Sequence, residues 1–203
     1  MARPPDPQAR VELLDGVVAY LAEHGLGDAT LRPMADSLGT SVNRLTHHFG
    51  SKAELLANAL ERVQDVQTAL EDSWIADQPD VTQSQLLRLW WAHLSASRSN
   101  LNLTRLGLEA AAIDATVTGL AGDVRAEQIA TWRDNIERRL VASGVAEADA
   151  RIEATVIKAV FTGLTLDLLA TGDVDRLSTA LDRALDRFDV RLADLLGLSL
   201  LAG

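Results

Sequence analysis

The stretch "GTSVNRLTHHFGSK", residues 39–52, decides how this chain is read. It opens on a turn-forming glycine, Gly39, and on Ser41, a hydroxyl placed to cap a helix. Asn43, Arg44 and the adjacent His47 and His48 follow, then Phe49, Gly50 and Lys52. Such a cluster fits catalysis, a metal, or contact with a large polar surface. The flanking sequence decides among them.

Upstream, Val11, Leu14, Val17, Val18, Leu21 and Ala22 recur at helical spacing. They predict a helix from about Gln8 to His24, stopped by Gly25 and Gly27. Thr30 stands where a cap for a short second helix is expected. That helix, "LRPMADSL", aligns Leu31, Met34, Ala35 and Leu38 on one face and ends at Gly39. Ser41 caps a third helix over 42–48, with Leu45 pointing inward and Phe49 closing the core behind it. Downstream, Ser51 and Glu54 have the spacing of a capping box for a fourth helix running to Trp74. Longer helices are expected near 82–98, 101–114, 117–142, 147–171 and 174–197, with breaks at Gly144 and Gly172.

The expected fold is therefore all-α. A three-helix helix-turn-helix head occupies residues 1–50, with a short disordered arm at "MARPPDPQAR", and a larger helical bundle occupies 51–203. An apolar fraction of 47% supports a core without covalent staples. The chain has no cysteine, which excludes disulfides, thiolate metal sites and a Cys nucleophile and fits a reducing cytoplasm. The N-terminus lacks the apolar core of a secretory signal. No unbroken apolar run approaches ~18 residues, so no membrane is expected as a partner. The net charge of −10 opposes nucleic-acid binding if taken whole. Salt screens exposed charges beyond about 8 Å, however, so the sign at the contact face is what matters.

Two short helices about a glycine turn, the second exposing polar groups, form a helix-turn-helix, whose second helix enters the major groove. Arg44 suits guanine O6 and N7, or a phosphate; Asn43 suits adenine, and Val42 a thymine methyl. Ser41, Thr46 and His48 suit phosphate oxygens, and Lys52 joins its charge to the free N–H groups opening the fourth helix. The histidine pair reads as a solvated surface or as a DNA-facing one. Adjacent helical residues diverge by about 100°, and no HxxxH or HExxH spacing occurs, so no metal site is expected.

The segment "LAEHGLGDATLR…MADSLGTSVNRLTHHFGSKAELL" resembles the DNA-binding head of TetR-type transcriptional regulators, which commonly read "FAEHGY.ATSVR" and "A.RAGVS.GTLYHHF.SKE.L". The resemblance covers about residues 9–60. It implies a homodimer reading a palindromic duplex operator, most often as a repressor released by a small-molecule effector. It adds Thr30, Arg32 and His47 to the DNA-facing set. The chain departs from the family where Thr46 replaces an aromatic that touches DNA, and Thr40 replaces a valine. Residues 1–55 hold five Lys and Arg against seven Asp and Glu, net −2, so modest non-specific affinity is expected.

In the larger part, Trp90 and Trp91 cannot both face one core. They read as plain bundle core, or as part of a mostly apolar ligand pocket lined by Trp90, Leu94, Leu103, Leu106 and Trp132, with Glu109 or Asp167 adding selectivity. Leu177, Leu181, Ala184, Phe188, Leu192 and Leu195 form a regular seam that wants a partner helix, in its own chain or another. The family resemblance implies a four-helix dimer interface from the last two helices, with Ala159 and Gly163 allowing close approach. Two other readings compete: an all-helical enzyme and a dimeric protein-binding scaffold. GxSxG, P-loop and GxGxxG patterns are absent, so neither enzyme activity nor a cofactor is expected.

Overall fold

A computed structural model describes residues 7–112 and 122–198. Residues 1–6 of the expected N-terminal arm, and the junction expected between 114 and 117, lie outside the described residues, whereas residues 7–10 of that arm are helical and open the first helix. Among the described residues there are nine helices and no strand. They are α1 (Pro7–His24), α2 (Leu31–Ser37), α3 (Val42–Phe49), α4 (Lys52–Asp77), α5 (Gln83–Ala96), α6 (Arg98–Ala112), α7 (Gly122–Ala142), α8 (Glu147–Thr171) and α9 (Val174–Leu195). The fold is all-α, as expected. Helix α4 runs three residues past Trp74, and α5 and α6 are parted by a single extended residue, Ser97.

The chain forms two compact units. The first comprises Met1–Ser73 with Arg98–Gln128, and the second Trp74–Ser97 with Ile129–Gly203. The unit around the head thus takes in more chain than residues 1–50. Its core joins Leu14, Val17 and Leu21 of α1, Met34 and Ala35 of α2, and Leu45 and Phe49 of α3. Leu55, Leu56 and Leu60 of α4 complete it with Leu106 and Ala110 of α6.

Local chemistry fixes the turns. After α2, Gly39 takes φ +59°, its N–H bonds Asp36 O at 3.2 Å and the Thr40 N–H bonds Ala35 O at 2.9 Å. This paired closure satisfies helix-end carbonyls and needs a left-handed residue, hence glycine. Helix α4 opens with a reciprocal cap: the Ser51 N–H donates to Glu54 Oε2 at 2.7 Å, and the Glu54 N–H to Ser51 Oγ at 3.2 Å.

In the second unit, α8 and α9 form an antiparallel hairpin turned at Gly172, which has φ +70°. Arg176 near the turn bonds Asp167 and Asp173 at 3.0 Å, and Arg191 near the far end bonds Glu153 at 2.9 Å. Helix α5 lies along α9: Arg88 reaches Asp182 and Asp186 at 3.0 Å each, Ser84 bonds Asp189, and Trp91 Nε1 donates to Ser178 Oγ at 2.8 Å. From α7, Arg139 donates to Gln83 Oε1 at 3.0 Å and to the Val81 carbonyl at 2.9 Å.

Helix α8 differs from expectation in one respect. Its best 18-residue window has a mean hydropathy of 1.4, so by length and composition it could cross a membrane. Lys158 and Asp167 interrupt the run, which is why no unbroken apolar stretch stands out in the sequence. Only 28% of that window is buried.

The backbone N–H of Ser51, and then its hydroxyl, hold the Glu54 carboxyl below its ordinary value of 4.5. A depressed folded pKa stabilises the fold above the unfolded value, and that stability is lost as pH falls through the folded pKa. Thermal unfolding followed from pH 6 to pH 3 should therefore show Glu54→Gln less acid-sensitive than the wild type. Parallel loss in both proteins would refute this role for the cap.

Candidate nucleic-acid interface

Helix α3 gives two side chains to the core, Leu45 and Phe49, one turn apart on one face. Val42 packs against the same core from its edge. Ser41, Asn43, Arg44, Thr46 and His47 are exposed; Val42 and His48 are half-buried. Thr30 and Arg32, at the start of α2, are exposed, and Lys52, the first residue of α4, is half-buried. None of the ten expected DNA-facing residues is buried, and all belong to the first unit.

Their hydrogen bonds separate them. Ser41 Oγ accepts the Arg44 N–H at 3.2 Å, which leaves its own O–H free to donate. Thr30 occupies the cap position of α2 but makes no capping bond, contrary to expectation. Thr46 Oγ1 donates to the carbonyls of Val42 at 3.1 Å and Asn43 at 3.2 Å. Its hydroxyl hydrogen is thus engaged within α3. The His47 and His48 rings stand edge-on with centroids 5.6 Å apart. Among the described residues, no group of three or more His, Cys, Asp or Glu could hold a metal ion.

Two supports of this surface escaped the sequence reading. The Arg10 guanidinium lies 4.9 Å over the Phe49 ring and donates to Asn58 Oδ1 at 2.8 Å, joining α1, α3 and α4. Its only signal in the sequence is a lone base on a helix otherwise facing a core. The second is on α6, where Glu109 Oε2 accepts the Leu26 N–H at 2.8 Å and Arg105 donates to the Ala22 carbonyl at 3.0 Å. Glu109 is thus engaged with the head, and Asp167 with Arg176, rather than standing free to select a ligand.

The residues expected to line a pocket divide between the units. Leu106 is buried in the core of the first, and Leu103 packs against that core. Trp90, Leu94 and Trp132 belong to the second. There the paired tryptophans diverge: Trp91 is buried with its ring 5.8 Å from Phe161, and half-buried Trp90 stands 5.0 Å from Trp74 and 6.0 Å from His93. Trp132 lies 5.0 Å from Phe161. Burial lowers the His93 pKa, and burial followed by the charge of Arg133 lowers that of Lys158. A groove of about 310 Å³ between α5 and α9, lined by Arg88, Trp91, Ser95, Ser178 and Asp182 among others, includes none of the five expected residues.

Of the seam residues on α9, Leu177, Leu181 and Phe188 are buried within their own unit, and Ala184, Leu192 and Leu195 are half-buried. Ala159 and Gly163 on α8 are exposed, aligned with Ile152, Val156 and Leu166, whose exposures are 60%, 52% and 51%.

Residues 13–59 match the family model described as "Bacterial regulatory proteins, tetR family". Over 47 residues the chain is 40% identical to the HTH-type transcriptional repressor AcnR of Corynebacterium efficiens, a match covering 23% of this chain and about a quarter (25%) of that repressor. Two solved structures share the fold. A transcriptional regulator from Rhodococcus sp. Rha1 has a TM-score of 0.70 at 22% identity, over 89% of this chain and 95% of that one. A TetR-family transcriptional regulator from Agrobacterium tumefaciens has a TM-score of 0.67 at 20% identity, over 90% and 98%. Residues 13–59 are thus similar to the bacterial regulatory proteins of the tetR family, and the chain as a whole shares the fold of these two solved regulators.

Proposed function

We propose that this protein is a homodimeric, cytoplasmic transcriptional regulator, a repressor and not an enzyme, that reads a palindromic duplex operator through α3. The observation that carries the reading is α3 itself, anchored by buried Leu45 and Phe49 with Val42 packed against the same core, its polar residues outward, inside the segment that matches the family model. Two heads would enter successive major grooves, about 34–36 Å apart. Arg44 and Asn43 reach base edges, with Val42 beside them; Thr30, Arg32, Ser41, His47, His48 and Lys52 meet the backbone. The Thr46 hydroxyl, bonded within its helix, contributes no donor.

Dimerisation uses the exposed apolar stripe of α8 rather than the buried seam of α9. Ile152, Val156, Ala159, Gly163 and Leu166 repeat at spacings of four, three, four and three, which is a helix-packing stripe. A Cβ built at Gly163 meets nothing within 4 Å, so a second helix can approach closely there. A small, mostly apolar effector, bound in the second unit near Trp90, Leu94 and Trp132, would favour a state of lower operator affinity. The shift cannot exceed its differential affinity for the two states.

Selection from a random duplex pool should enrich a palindrome, and binding to it should weaken steeply with salt. On that duplex Arg44→Ala should cost about 1–3 kcal/mol and relax preference at one position. An equal loss on every sequence would make Arg44 a phosphate contact, and enrichment of nothing at any salt would overturn the reading. Val156→Arg should separate the dimer in sedimentation equilibrium, because an unpaired charge on a covered face costs roughly 3–5 kcal/mol. An unchanged dimer mass would remove α8 from the interface. All four tryptophans fall in the second unit, so an effector that releases DNA should also change Trp emission. Release with constant emission would put the effector site elsewhere.

A further inference from the structure

The end of α1 leaves backbone groups that need partners. Two needs are met locally: the Gly25 N–H donates to Leu21 O at 2.7 Å, and His24 Nδ1 lies 2.9 Å from the Tyr20 carbonyl. Two more are met from 83 positions away in sequence. Arg105 donates to the Ala22 carbonyl at 3.0 Å, and Glu109 accepts the Leu26 N–H at 2.8 Å. The two side chains stand one turn apart on α6 and 3.2 Å from each other. Each sign is placed where it helps. The guanidinium meets the negative end of the α1 dipole, and the carboxylate makes a charge-assisted bond to an amide.

Gly25 accommodates this clasp. Its φ is +83°, and a Cβ there would lie 3.1 Å from Glu109 Oε2. The turn that follows is rooted in the core by Leu26 and Ala29, both buried, and closed by the Ala29 N–H bonding Leu26 O at 3.3 Å. Helix α2 begins two residues later and leads through the Gly39 turn into α3.

We propose that Arg105 and Glu109 are positioning residues for DNA reading: by holding the turn between α1 and α2 they set where α2 and α3 stand, so operator affinity depends on α6. This rests on the function proposed above. It gives α6 a route to α3 that involves no DNA contact. In sequence α6 lies between α5, in the second unit, and α7, most of which is also there.

The test compares wild type, Glu109→Ala, Glu109→Gln and Arg105→Met on the selected palindrome, with amide exchange at Leu26 and thermal unfolding alongside. Glu109→Ala and Arg105→Met should weaken operator binding about tenfold, the scale of ordinary coupling between sites. The salt dependence should keep its slope, since no phosphate contact is removed. Glu109→Gln should fall between them and the wild type, because an amide oxygen still accepts a hydrogen bond, and Leu26 exchange should follow the same order. A merely structural role would lower the unfolding temperature and leave affinity at the wild-type value well below the transition. Wild-type affinity with the Leu26 amide deprotected would overturn the proposal, and so would an altered salt slope. Should Glu109→Ala not fold, Glu109→Gln and Arg105→Met decide by the same readings. A wild type that binds no duplex defeats the functional reading and the clasp with it; a wild type that binds while the variants match it defeats the clasp alone.

Discussion

Leu45 and Phe49 are four residues apart on an eight-residue helix, and both are buried. That spacing gives α3 a single inward edge, so all its polar groups must lie outside it. So short a helix has little stability of its own. It is held by what it packs against: the core residues of α1, α2 and α4, and the Arg10 guanidinium above the Phe49 ring. Other features of the first unit follow from keeping that edge seated. The glycine closure after α2 sets the direction in which α3 leaves, and the reciprocal cap at Ser51 and Glu54 restarts the chain immediately after Gly50.

Much of this was legible in the sequence because it is local. Helix ends are written by glycines, hydroxyls and Ser–Glu spacing, and most expected bounds fall within two or three residues of those observed. The outward set of α3 was legible because that helix exposes by default whatever it does not bury. The clasp was not, since nothing near Glu109 announces a partner 83 residues away. The same blindness hid that Leu103 and Leu106 meet the core of the first unit. Apolar residues at helical spacing say that a face is covered, not by which element.

The two last helices illustrate that ambiguity. The regular seam on α9 read equally as internal packing or as a subunit contact, and its buried leucines meet α8 and α5 of their own unit. Helix α8 is apolar on two faces. Ala154, Ile157, Phe161 and Leu168 cover the core, while Ile152, Val156 and Leu166 face outward. An exposed row of that kind calls for a cover, because monomeric proteins rarely leave large contiguous apolar patches in water. Ion pairs toward both ends of the α8–α9 hairpin hold this surface in one shape beforehand, which lowers the entropy lost when it is covered.

The recruitment of α6 into the core of the head also orders events during synthesis. The three short helices and the start of α4 are complete by residue 60, but Leu106, Ala110 and the two clasping side chains are translated about 50 residues later. At roughly 5–20 residues per second that is a delay of about 3–10 s. Through that interval the emerging chain carries α3 on a core that lacks one wall. The surface that Leu106 and Ala110 will cover is open to solvent and to chaperones. The hairpin of α8 and α9 has no such wait, because its contacts are between neighbours in sequence and can form as soon as both helices exist.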